Sequence, residues 1–438
     1  MIDYSDITIA RNRRLHTKTP VAQQGEYRSP AQKDKDRIIY TSAFRRLAEV
    51  TQVASPTDAH VFHNRLTHSL QVGQVGRSLA EKLRQDPAAC ELIGGIDPDT
   101  VEAACLAHDL GHPPFGHTAE EVLNTLIGSL AGGFEGNAQS FRIVTKLAFK
   151  STSHAGLDLT AATLAAILKY PWLKGQNKKK PHKWGAYKSE LKDFDFARAV
   201  SPKQKLVRSP EAALMDWADD VTYSVHDLED FFRAGKIPVH LLARASESLE
   251  RQHFFDDVYR RRAAEKDFPK RAVMEEAFGN ILGFYWRIYE PYSGTREHRS
   301  RLRFFTSQLI HRYINGVEID KANKTVAIDS EYEKEVAILK ELTWTYVIEA
   351  PAQSLQREGQ RAVIRRLFEI YSEASGSEKT WSIFPVYYRE ELRNTSTAAE
   401  RKRTVIDLIA GMTEPQVVEA YRQVMGAWPS QSLEGLPA

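Results

Sequence analysis

The chain has 438 residues, 42% of them hydrophobic and 27% charged, and its formal net charge is +3. These values are ordinary for a globular protein with one large core or two to three domains, and a charge so near balance gives no argument for nucleic-acid or membrane binding. Cys90 and Cys105 are the only cysteines, which argues against a disulfide scaffold and favours a reducing, cytoplasmic compartment. No apolar run approaches the ~20 residues of a membrane span, and the N-terminus lacks the apolar core of a signal peptide.

The first half of the chain predicts a series of helices. A polar, Arg-rich arm ends in the short helix of RIIYTSAFRRLAEV, residues 37–50. Further helices are predicted at residues 64–84, 100–110, 141–149 and 160–170. Asn64 is a plausible N-cap for the first of these, and Gly111 with the prolines after it ends the second.

Residues 171–205 differ in composition from both neighbours. The stretch PWLKGQNKKKPHKWGAYKSELKD has many lysines, few aliphatic residues and several turn formers. A long exposed loop is the simpler interpretation of this composition. The alternative is a basic flap beside an anionic ligand, and the sequence does not decide between the two.

The second half of the chain is helical almost throughout. Pro210–Phe232 has a strong helical pattern, and further helices are predicted at residues 240–251, 273–288, 297–313, 331–349, 359–374 and 397–412. Gly316–Asp329 is an exception, because two short alternating runs around a polar turn predict a small hairpin. The predicted fold class is therefore all-α, with at most a minor β-hairpin.

The same pass along the chain suggests three parts. We expect an N-terminal arm and helix at residues 1–60, a core at residues 61–235, and a helical C-terminal part at residues 236–438 that packs on the core. The lysine-rich stretch at residues 171–205 interrupts the core. Any site that joins the early and late motifs of the core must be built where their helices meet.

Titratable residues are concentrated at the break after the helix of residues 100–110. LAHDLGHPPFGHTAEE, Leu106–Glu121, holds three histidines and three carboxylates around a Pro-Pro pair and two glycines. A solvated surface turn does not need this density, whereas a metal site with an acid/base group beside it does. His68 lies on the apolar stripe of the preceding helix with Arg65 one turn earlier, and neither side chain is cheap to bury unpaired.

The helix at Pro210–Phe232 carries a polar stripe opposite an apolar one. The polar stripe consists of Asp216, Asp219 or Asp220, Tyr223, Asp227 and Asp230. A solvated face explains this stripe when the helix is considered alone. Combined with His68 and the pair His108–Asp109, it supplies imidazole and carboxylate ligands that suit a divalent Mn, Fe, Zn or Mg ion. The absence of a nearby cysteine argues against a structural zinc site.

The motifs that carry these residues resemble one known group of enzymes. HNRLTHS, AHDLGHPPFGH and DWADDVTYSVHDLED look like the HD superfamily of metal-dependent phosphohydrolases. DRIIYTSAFRRLAEVTQV and FEGNAQSFR extend the match over roughly residues 35–235 and point to the deoxyguanosine triphosphate triphosphohydrolase (dGTPase) family. The resemblance implies an HD core at residues 61–235. It also implies four metal ligands, with Asp220 as the alternative to the last of them: His68, His108, Asp109 and Asp219.

The resemblance further implies a catalytic pair and a phosphate clamp. His117 and Glu120 match the pair, in which the imidazole protonates the leaving 5′-oxygen and the carboxylate orients the ring. Arg65 and His112 match groups that offset charge on the phosphates. The implied cofactor is a divalent metal, Mn²⁺ or Mg²⁺ first and Fe²⁺ or Zn²⁺ as alternatives, that activates water for attack on the α-phosphorus. The implied reaction converts dGTP, and other dNTPs, to deoxynucleoside and tripolyphosphate.

Recognition of the sugar is implied in the same way. Asp227 matches a residue that accepts a hydrogen bond from the 3′-hydroxyl. Tyr223 matches one that packs where a 2′-hydroxyl would clash, so the pair would favour deoxyribose. Arg46 and Leu47 are expected to border the sugar or the base.

Two other functions stay open from the sequence. One is a different HD phosphohydrolase that acts on nucleoside monophosphates or guanosine polyphosphates. The other is a regulator with low turnover that binds dNTPs or single-stranded nucleic acid, for which Lys178–Lys180 and Arg296–Arg303 provide basic segments. The family suggests a homo-oligomer, tetramer or hexamer, with a dNTP as substrate and in some members also as effector, and no membrane partner.

Overall fold

The computed structural model describes residues 4–17, 25–52, 63–128, 132–202, 206–244, 248–349 and 351–426. Three short helices come first: α1 (Tyr4–Asn12), α2 (Pro30–Ile39) and α3 (Ser42–Arg46). The next group ends with a long helix: α4 (Arg65–Leu83), α5 (Pro87–Leu92), α6 (Pro98–Ala107), α7 (His117–Ile127), α8 (Gly136–Arg142), α9 (Ala161–Ile167), α10 (Leu191–Arg198) and α11 (Pro210–Arg233).

The rest of the described chain is also mainly helical. Its helices are α12 (Val239–Leu242), α13 (Leu249–Arg261), α14 (Arg271–Tyr285), α15 (Arg296–Asn315), α16 (Ser330–Thr343), α17 (Pro351–Ala374), α18 (Val386–Arg393), α19 (Ala398–Gly411) and α20 (Glu414–Val424). Short 3₁₀ or π segments occur at Leu47–Glu49, Ile143–Leu147, Lys188–Glu190, Trp344–Ile348 and Glu378–Ile383.

The all-α prediction is confirmed, and so is the small hairpin. β1 (Val317–Asp320) pairs antiparallel with β2 (Thr325–Ile328), and Val317 lies opposite Ile328. Within the described ranges, no helix is both long and apolar enough to cross a membrane.

The main core is built where α4, α6, α9 and α11 pack on one another. Helix α4 contributes the apolar stripe predicted from its spacing, which is fully or almost fully buried at Val72, Val75, Leu79 and Leu83. Gly76 lets α6 come close, because a Cβ at this position would lie 2.4 Å from Cys105 Sγ. Both cysteines are buried and free. The core therefore brings the helix with His68, the helix before His108 and the helix with Asp219 together.

A second apolar cluster joins the C-terminal part to α7. Val122 and Leu123 of α7 pack there against residues of α17, α19 and α20, such as Leu367, Ile409 and Val417. Helix α7 begins at His117, so the C-terminal part covers the element that carries the predicted catalytic pair.

Three predicted elements are corrected by the structure, and the first is the helix of RIIYTSAFRRLAEV. It is not continuous, because α2 ends at Ile39 and α3 begins at Ser42. Thr41 causes the break, since its hydroxyl accepts a hydrogen bond from the Phe44 N–H and caps the new helix.

The second correction concerns residues 171–202 of the lysine-rich stretch, which form an exposed loop only at residues 174–182. Trp172 and Trp184 are buried together with Tyr187 in a separate apolar cluster. The indole N–H of Trp172 also donates to Lys183 O at 2.7 Å. Helix α10 follows within the same segment. Although the stretch is rich in lysine, its buried aromatic side chains fix its structure.

The third correction concerns the helix predicted at residues 240–251. Helix α12 ends at Leu242, and a separate helix, α13, begins at Leu249 after the N-cap Ser248. Residues 245–247 lie outside the described ranges.

Candidate metal centre and active site

His68 is buried on the inner face of α4. Asn64 caps this helix by accepting from the Thr67 N–H, as its sequence predicts. The imidazole is 3% exposed, and its Nε2 lies 3.1 Å from Asp219 Oδ1 on α11. A histidine on an apolar stripe is thereby paired across the core with a carboxylate from a helix 151 residues later.

His108 caps the C-terminus of α6, and one hydrogen bond orients its ring. Its Nδ1–H donates to Cys105 O at 2.6 Å, which leaves the Nε2 lone pair free in the neutral imidazole. Nε2 is buried without a hydrogen-bond partner, although it lies 3.4 Å from Asp109 Oδ1 and 3.5 Å from Asp219 Oδ1. An orphaned imidazole nitrogen that faces two carboxylates is the arrangement expected of a metal ligand.

The negative charges of two carboxylates dominate the electrostatics around His108. Burial alone lowers the pKa of His108, but the charges of Asp109 and Asp219 outweigh it and raise the pKa to about 9, so a metal ion bound at Nε2 would displace a proton and restore the neutral imidazole. Burial raises the pKa of Asp219, yet Lys169 and His108 hold it well below the usual range. Both carboxyl groups are therefore ionised at neutral pH, because the pKa of Asp109 is also held well below its usual range.

The residues present fit a divalent metal ion. His68, His108 and Asp219 can each offer one ligand atom, and these atoms lie within 4.8 Å of one another. Asp109 is adjacent through Oδ1, while its Oδ2 accepts from Arg65 at 2.8 Å. Asp220, the alternative ligand, forms an ion pair with Lys340 at 2.6 Å. Two imidazoles with carboxylates form a donor set that suits first-row divalent ions.

The loop after His108 presents the predicted catalytic pair. Phe115 and Gly116 both have positive φ, 66° and 55°, and turn the chain directly into α7. His117 Nδ1 lies 2.8 Å from Glu120 Oε2, and the imidazole is 72% exposed while the carboxylate is 10% exposed. Burial raises the pKa of Glu120, but His117 and Lys183 more than compensate, so the carboxylate is ionised. This geometry leaves His117 Nε2 free to exchange a proton at the open side.

His112 is the buried member of the same loop. Its Nδ1 lies 3.0 Å from Asp109 Oδ1, and its ring packs edge-on against His117. Burial and the charge of Arg65 lower the pKa of His112 to about 4, so the ring is neutral at pH 7. His112, His117 and Glu120 also bring ligand atoms within 4.8 Å of one another, and Lys183 Nζ lies 3.3 Å from Glu120 Oε1.

These groups open into one cleft of about 500 Å³. The residues predicted from sequence that line it are Arg65, His108, Asp109, His112, His117, Asp219, Asp220 and Tyr223, whereas the buried His68 and Glu120 are not part of its lining. Asp227 is one turn further along α11 and is buried, with Oδ2 unpaired. Burial and the neighbouring Asp230 hold the pKa of Asp227 well above its usual range.

Several residues that line the cleft were missed by sequence reasoning. They include Thr51, Gln52, Asn137, Lys169, Tyr170, Lys183, Lys340, Trp344, Gln360 and Arg361. Lys169 Nζ bridges Asp219 and Asp216 at 2.8 and 2.9 Å, and Lys183 Nζ bridges Glu120 and Glu135 at 3.3 and 3.2 Å. The basic-flap interpretation of residues 171–205 contained the signal for Lys183. Nothing in the sequence indicated that α17 forms one wall.

Arg46 and Leu47 do not border the cleft as expected. Leu47 is fully buried in the main core. Arg46 is buried too, and its guanidinium donates to Leu110 O at 2.9 Å, to His112 O at 2.7 Å and to Met412 O at 3.0 Å. Arg46 therefore binds backbone carbonyls of two neighbouring segments. Thr51 and Gln52, a few residues later, line the cleft instead.

Two family models match the chain. The HD domain matches residues 65–224, and the phosphohydrolase-associated domain matches residues 326–423. A protein of Streptomyces coelicolor is 36% identical over 421 residues, covering 91% of this chain and 93% of its own length. A protein of Corynebacterium efficiens is 32% identical, covering 94% and 96%. A protein of Haemophilus influenzae is 28% identical, covering 92% and 94%, and all three are named deoxyguanosinetriphosphate triphosphohydrolase-like proteins.

Proposed function

Since the chain belongs to the deoxyguanosinetriphosphate triphosphohydrolase-like family of HD-domain phosphohydrolases, we propose that it hydrolyses dGTP, and other dNTPs, to deoxynucleoside and tripolyphosphate. The observation that carries the proposal is the shared cleft. His108 with its orphaned Nε2, the imidazole of the His117–Glu120 pair and a set of lysines and arginines all line this cleft. A metal ligand, a proton donor and cationic groups for phosphates are what this reaction needs together.

The metal would be held by His68, His108, Asp109 and Asp219. A divalent ion bound there, Mn²⁺ or Mg²⁺ first and Fe²⁺ or Zn²⁺ as alternatives, supplies a Lewis acid beside the α-phosphate. The chain's own contribution is orientation. Cys105 O fixes the His108 ring, and Arg65 and His112 flank Asp109, so the ligand atoms are in place before any ion arrives.

His117 is the proton donor for the leaving 5′-oxygen. Glu120 accepts from Nδ1–H and thereby presents Nε2 to the cleft. Lys183 and the Gly136 N–H hold the other carboxylate oxygen, at 3.3 and 3.2 Å. The carboxylate is thus fixed from two sides and can orient the ring without becoming protonated.

The triphosphate is held by charge around the rim of the cleft. Arg65 lies beside the metal ligands, and Lys169, Lys183, Lys340 and Arg361 line the cleft on other sides. The Nδ1 of His112 faces the Asp109 carboxylate, so its Nε2 donates to a phosphate oxygen only when the ring carries a second proton. Each lysine already has a carboxylate partner, which keeps the cationic groups ordered before substrate binds.

Selection for deoxyribose is assigned to Tyr223 and Asp227. The two side chains follow Asp219 at four-residue intervals on α11 and so lie on the same face as the ligand. The unpaired Oδ2 of Asp227 is available to a sugar 3′-hydroxyl. Tyr223 lines the cleft next to it and would occupy the space that a 2′-hydroxyl needs.

The reaction is tested by incubating metal-reconstituted protein with each of the four dNTPs and with GTP, and separating products by ion-exchange chromatography. Tripolyphosphate and deoxynucleoside are expected from dGTP, and the panel reveals how many other dNTPs react. Asp219→Asn and Asp220→Asn form a matched pair. Asp219→Asn is expected to lose both bound metal and turnover, whereas Asp220→Asn keeps the metal. Release of monophosphate from any dNTP, or no turnover with the other dNTPs present as activators, would overturn the proposal.

Assembly and regulation belong to the same proposal. We take the protein to be a homo-oligomer, tetramer or hexamer, in line with its family, and to respond to a second dNTP. Mass measurement in solution with and without dNTP tests both statements. The exposed arginines at 296, 299, 301 and 303 of α15 keep single-stranded nucleic acid as a second candidate ligand.

A further inference from the structure

The turn between α19 and α20 lies against two loops of the cleft. Glu414 is the first residue of α20, after the N-cap Thr413. Its Oε1 accepts from the Thr51 N–H at 2.8 Å and from the Phe115 N–H at 3.1 Å, and its Oε2 accepts from the Thr51 hydroxyl at 2.7 Å. One carboxylate from the C-terminal part therefore joins a loop before α4 to the loop before α7.

The loop from His112 to Gly116 is held at both of its ends by this turn. At the start, Arg46 donates to His112 O and to Met412 O, which lies two residues before Glu414. At the end, Glu414 accepts from Phe115 N–H. Charge-assisted hydrogen bonds to backbone groups are stronger than neutral ones, so the turn fixes the path of the whole loop.

The end of the loop needs such support. Phe115 has a φ of 66°, which is unfavourable for a residue with a side chain, and Gly116 follows it with a φ of 55°. Strained backbone of this kind persists only where the surroundings over-determine it, at a cost of about 1–3 kcal/mol. The ring of Phe115 packs against the C-terminal cluster and its N–H binds Glu414. His117 comes two residues later, so its position depends on this conformation.

We propose that Glu414, which does not line the cleft, is a positioning residue that acts through Phe115 to hold His117 in place for proton transfer. The C-terminal part thereby contributes to catalysis and does not only pack against α7. Its second contact, with Thr51, fixes a residue that lines the cleft beside Gln52. The inference rests on the proposed function, since His117 is the proton donor there.

The test replaces Glu414 by Gln, which keeps the size of the side chain but removes the charge. The amide oxygen can keep both N–H contacts and the amide N–H₂ can donate to the Thr51 hydroxyl, so what the variant removes is the negative charge that strengthens the hydrogen bonds to the two N–H groups. We expect kcat to fall by about 10-fold or more, with a smaller change in KM, because small displacements of a catalytic group cost this much. Glu419→Gln, an exposed position on the same helix, is the matched control and should behave as wild type.

Two readouts separate positioning from general damage. Hydrogen exchange of the peptide covering residues 111–118 should rise in Glu414→Gln and stay unchanged in Glu419→Gln. In a His117→Asn background, adding Glu414→Gln should lower the residual kcat by less than about 2-fold, because coupled residues give non-additive effects. Glu414→Asp, which keeps the charge but shortens the side chain, serves the same test if the glutamine variant does not fold.

The outcomes are distinguishable from those of the proposed function. If wild type and Glu419→Gln release no tripolyphosphate, the proposed function fails. If both turn over dNTPs and Glu414→Gln matches them in kcat and in exchange, the positioning role alone is overturned. It is also overturned if Glu414→Gln lowers kcat equally in the wild-type and His117→Asn backgrounds.

Discussion

Single residues at the site owe their roles to neighbours that lie far away in sequence. His68, His108 and Asp219 were predicted as metal ligands from the resemblance of their motifs to the HD family, and each lies in a helix or at its end. Lys169 and Lys183 were not found, although both contact predicted residues. A lysine that follows a helix or lies in a turn carries no periodic signal. Its approach to a carboxylate depends on how the elements fold together.

Replacing His117 by Asn tests the proton donor. The leaving 5′-oxygen then departs without a proton, and kcat for dNTP hydrolysis is expected to fall by about 10²–10⁴-fold. Bound metal, measured by atomic emission, should be unchanged because His117 is not in the ligand set. His182→Asn, at an exposed position in the lysine-rich segment, is the control. A variant with wild-type kcat would show that another group supplies the proton.

His63 and Asp230 form a pair that links the start of α4 to α11. Asp230 Oδ2 lies 2.6 Å from His63 Nδ1 and accepts from its backbone N–H at 2.9 Å. Burial alone lowers the pKa of His63, but the hydrogen bond and charge of Asp230 outweigh it and raise the pKa. Glu229, Arg233 and His226 are the other titratable groups around this imidazole.

The His63 pair predicts a pH-dependent stability difference. The charged pair stabilises the folded state fully below the unfolded pKa of about 6.5, and this contribution is lost as the pH rises through the higher folded pKa. His63→Gln should therefore cost more stability at pH 6 than at pH 9, by about 0.5–1 kcal/mol because the imidazole is partly solvated. Urea unfolding of both proteins at the two pH values measures the difference. An equal cost at both would contradict the assigned pair.

At the scale of elements, the crossing of α4 and α6 depends on one glycine. Gly76→Ala places a Cβ 2.4 Å from Cys105 Sγ and 3.2 Å from Val101 Cγ1, so the helices must separate. We expect the free energy of unfolding to fall by about 1–2 kcal/mol, after the gain in helix propensity is counted. Gly73→Ala is the control on the same helix. Its Cβ would meet ordinary contacts at 3.4 Å and beyond, and it should be neutral or stabilising. Equal unfolding midpoints for the two variants would contradict this account of the crossing.

The elements that sequence predicted best are those with both a periodic pattern and a cap. Helix α4 begins after Asn64, α11 after Ser209 and α19 after Thr397, and each cap side chain accepts the expected backbone hydrogen bond. The segments that were predicted wrongly lack this agreement between pattern and cap. The break at Thr41 comes from a cap inside an otherwise helical pattern, and the fold of residues 171–205 comes from two buried tryptophans. Local patterns do not show which aromatic side chains will find a partner.

At the scale of the whole molecule, the C-terminal part is tied to the core by a buried ion network as well as by apolar packing. Asp407 on α19 is 3% exposed and accepts from Gln139 at 2.8 Å and from Arg142 at 2.8 and 3.1 Å. Arg142 also reaches Glu190 at 2.6 Å. These contacts join α8 and the segment before α10 to the C-terminal helices. The core and the C-terminal part, which both line the cleft, are thereby held in a fixed relative position.

Asp407→Asn is expected to weaken this connection. The variant leaves the Arg142 guanidinium with one carboxylate in a mostly buried position, and we expect a loss of about 2–4 kcal/mol. Thermal unfolding measures it, with Glu390→Gln, an exposed position on α18, as the control. If Asp407→Asn unfolds at the temperature of wild type, the network does not hold the two parts together.

The all-α class and the HD core followed from motifs and periodicity, but the way the C-terminal part completes the cleft did not. Lys340, Trp344 and Arg361 form one wall of the cleft. In the sequence, the helical segments that carry them have only an ordinary amphipathic pattern. Their contribution depends on the docking of α17 beside α7, a contact between residues far apart in the chain.

In the proposed reaction, water attacks the α-phosphorus and tripolyphosphate leaves intact from the nucleoside. Hydrolysis of dGTP in H₂¹⁸O, followed by ³¹P NMR and mass spectrometry of both products, tests it most directly. We expect one ¹⁸O in a terminal phosphate group of tripolyphosphate and none in deoxyguanosine. Label in the deoxynucleoside, or label in a released monophosphate or pyrophosphate, would contradict it.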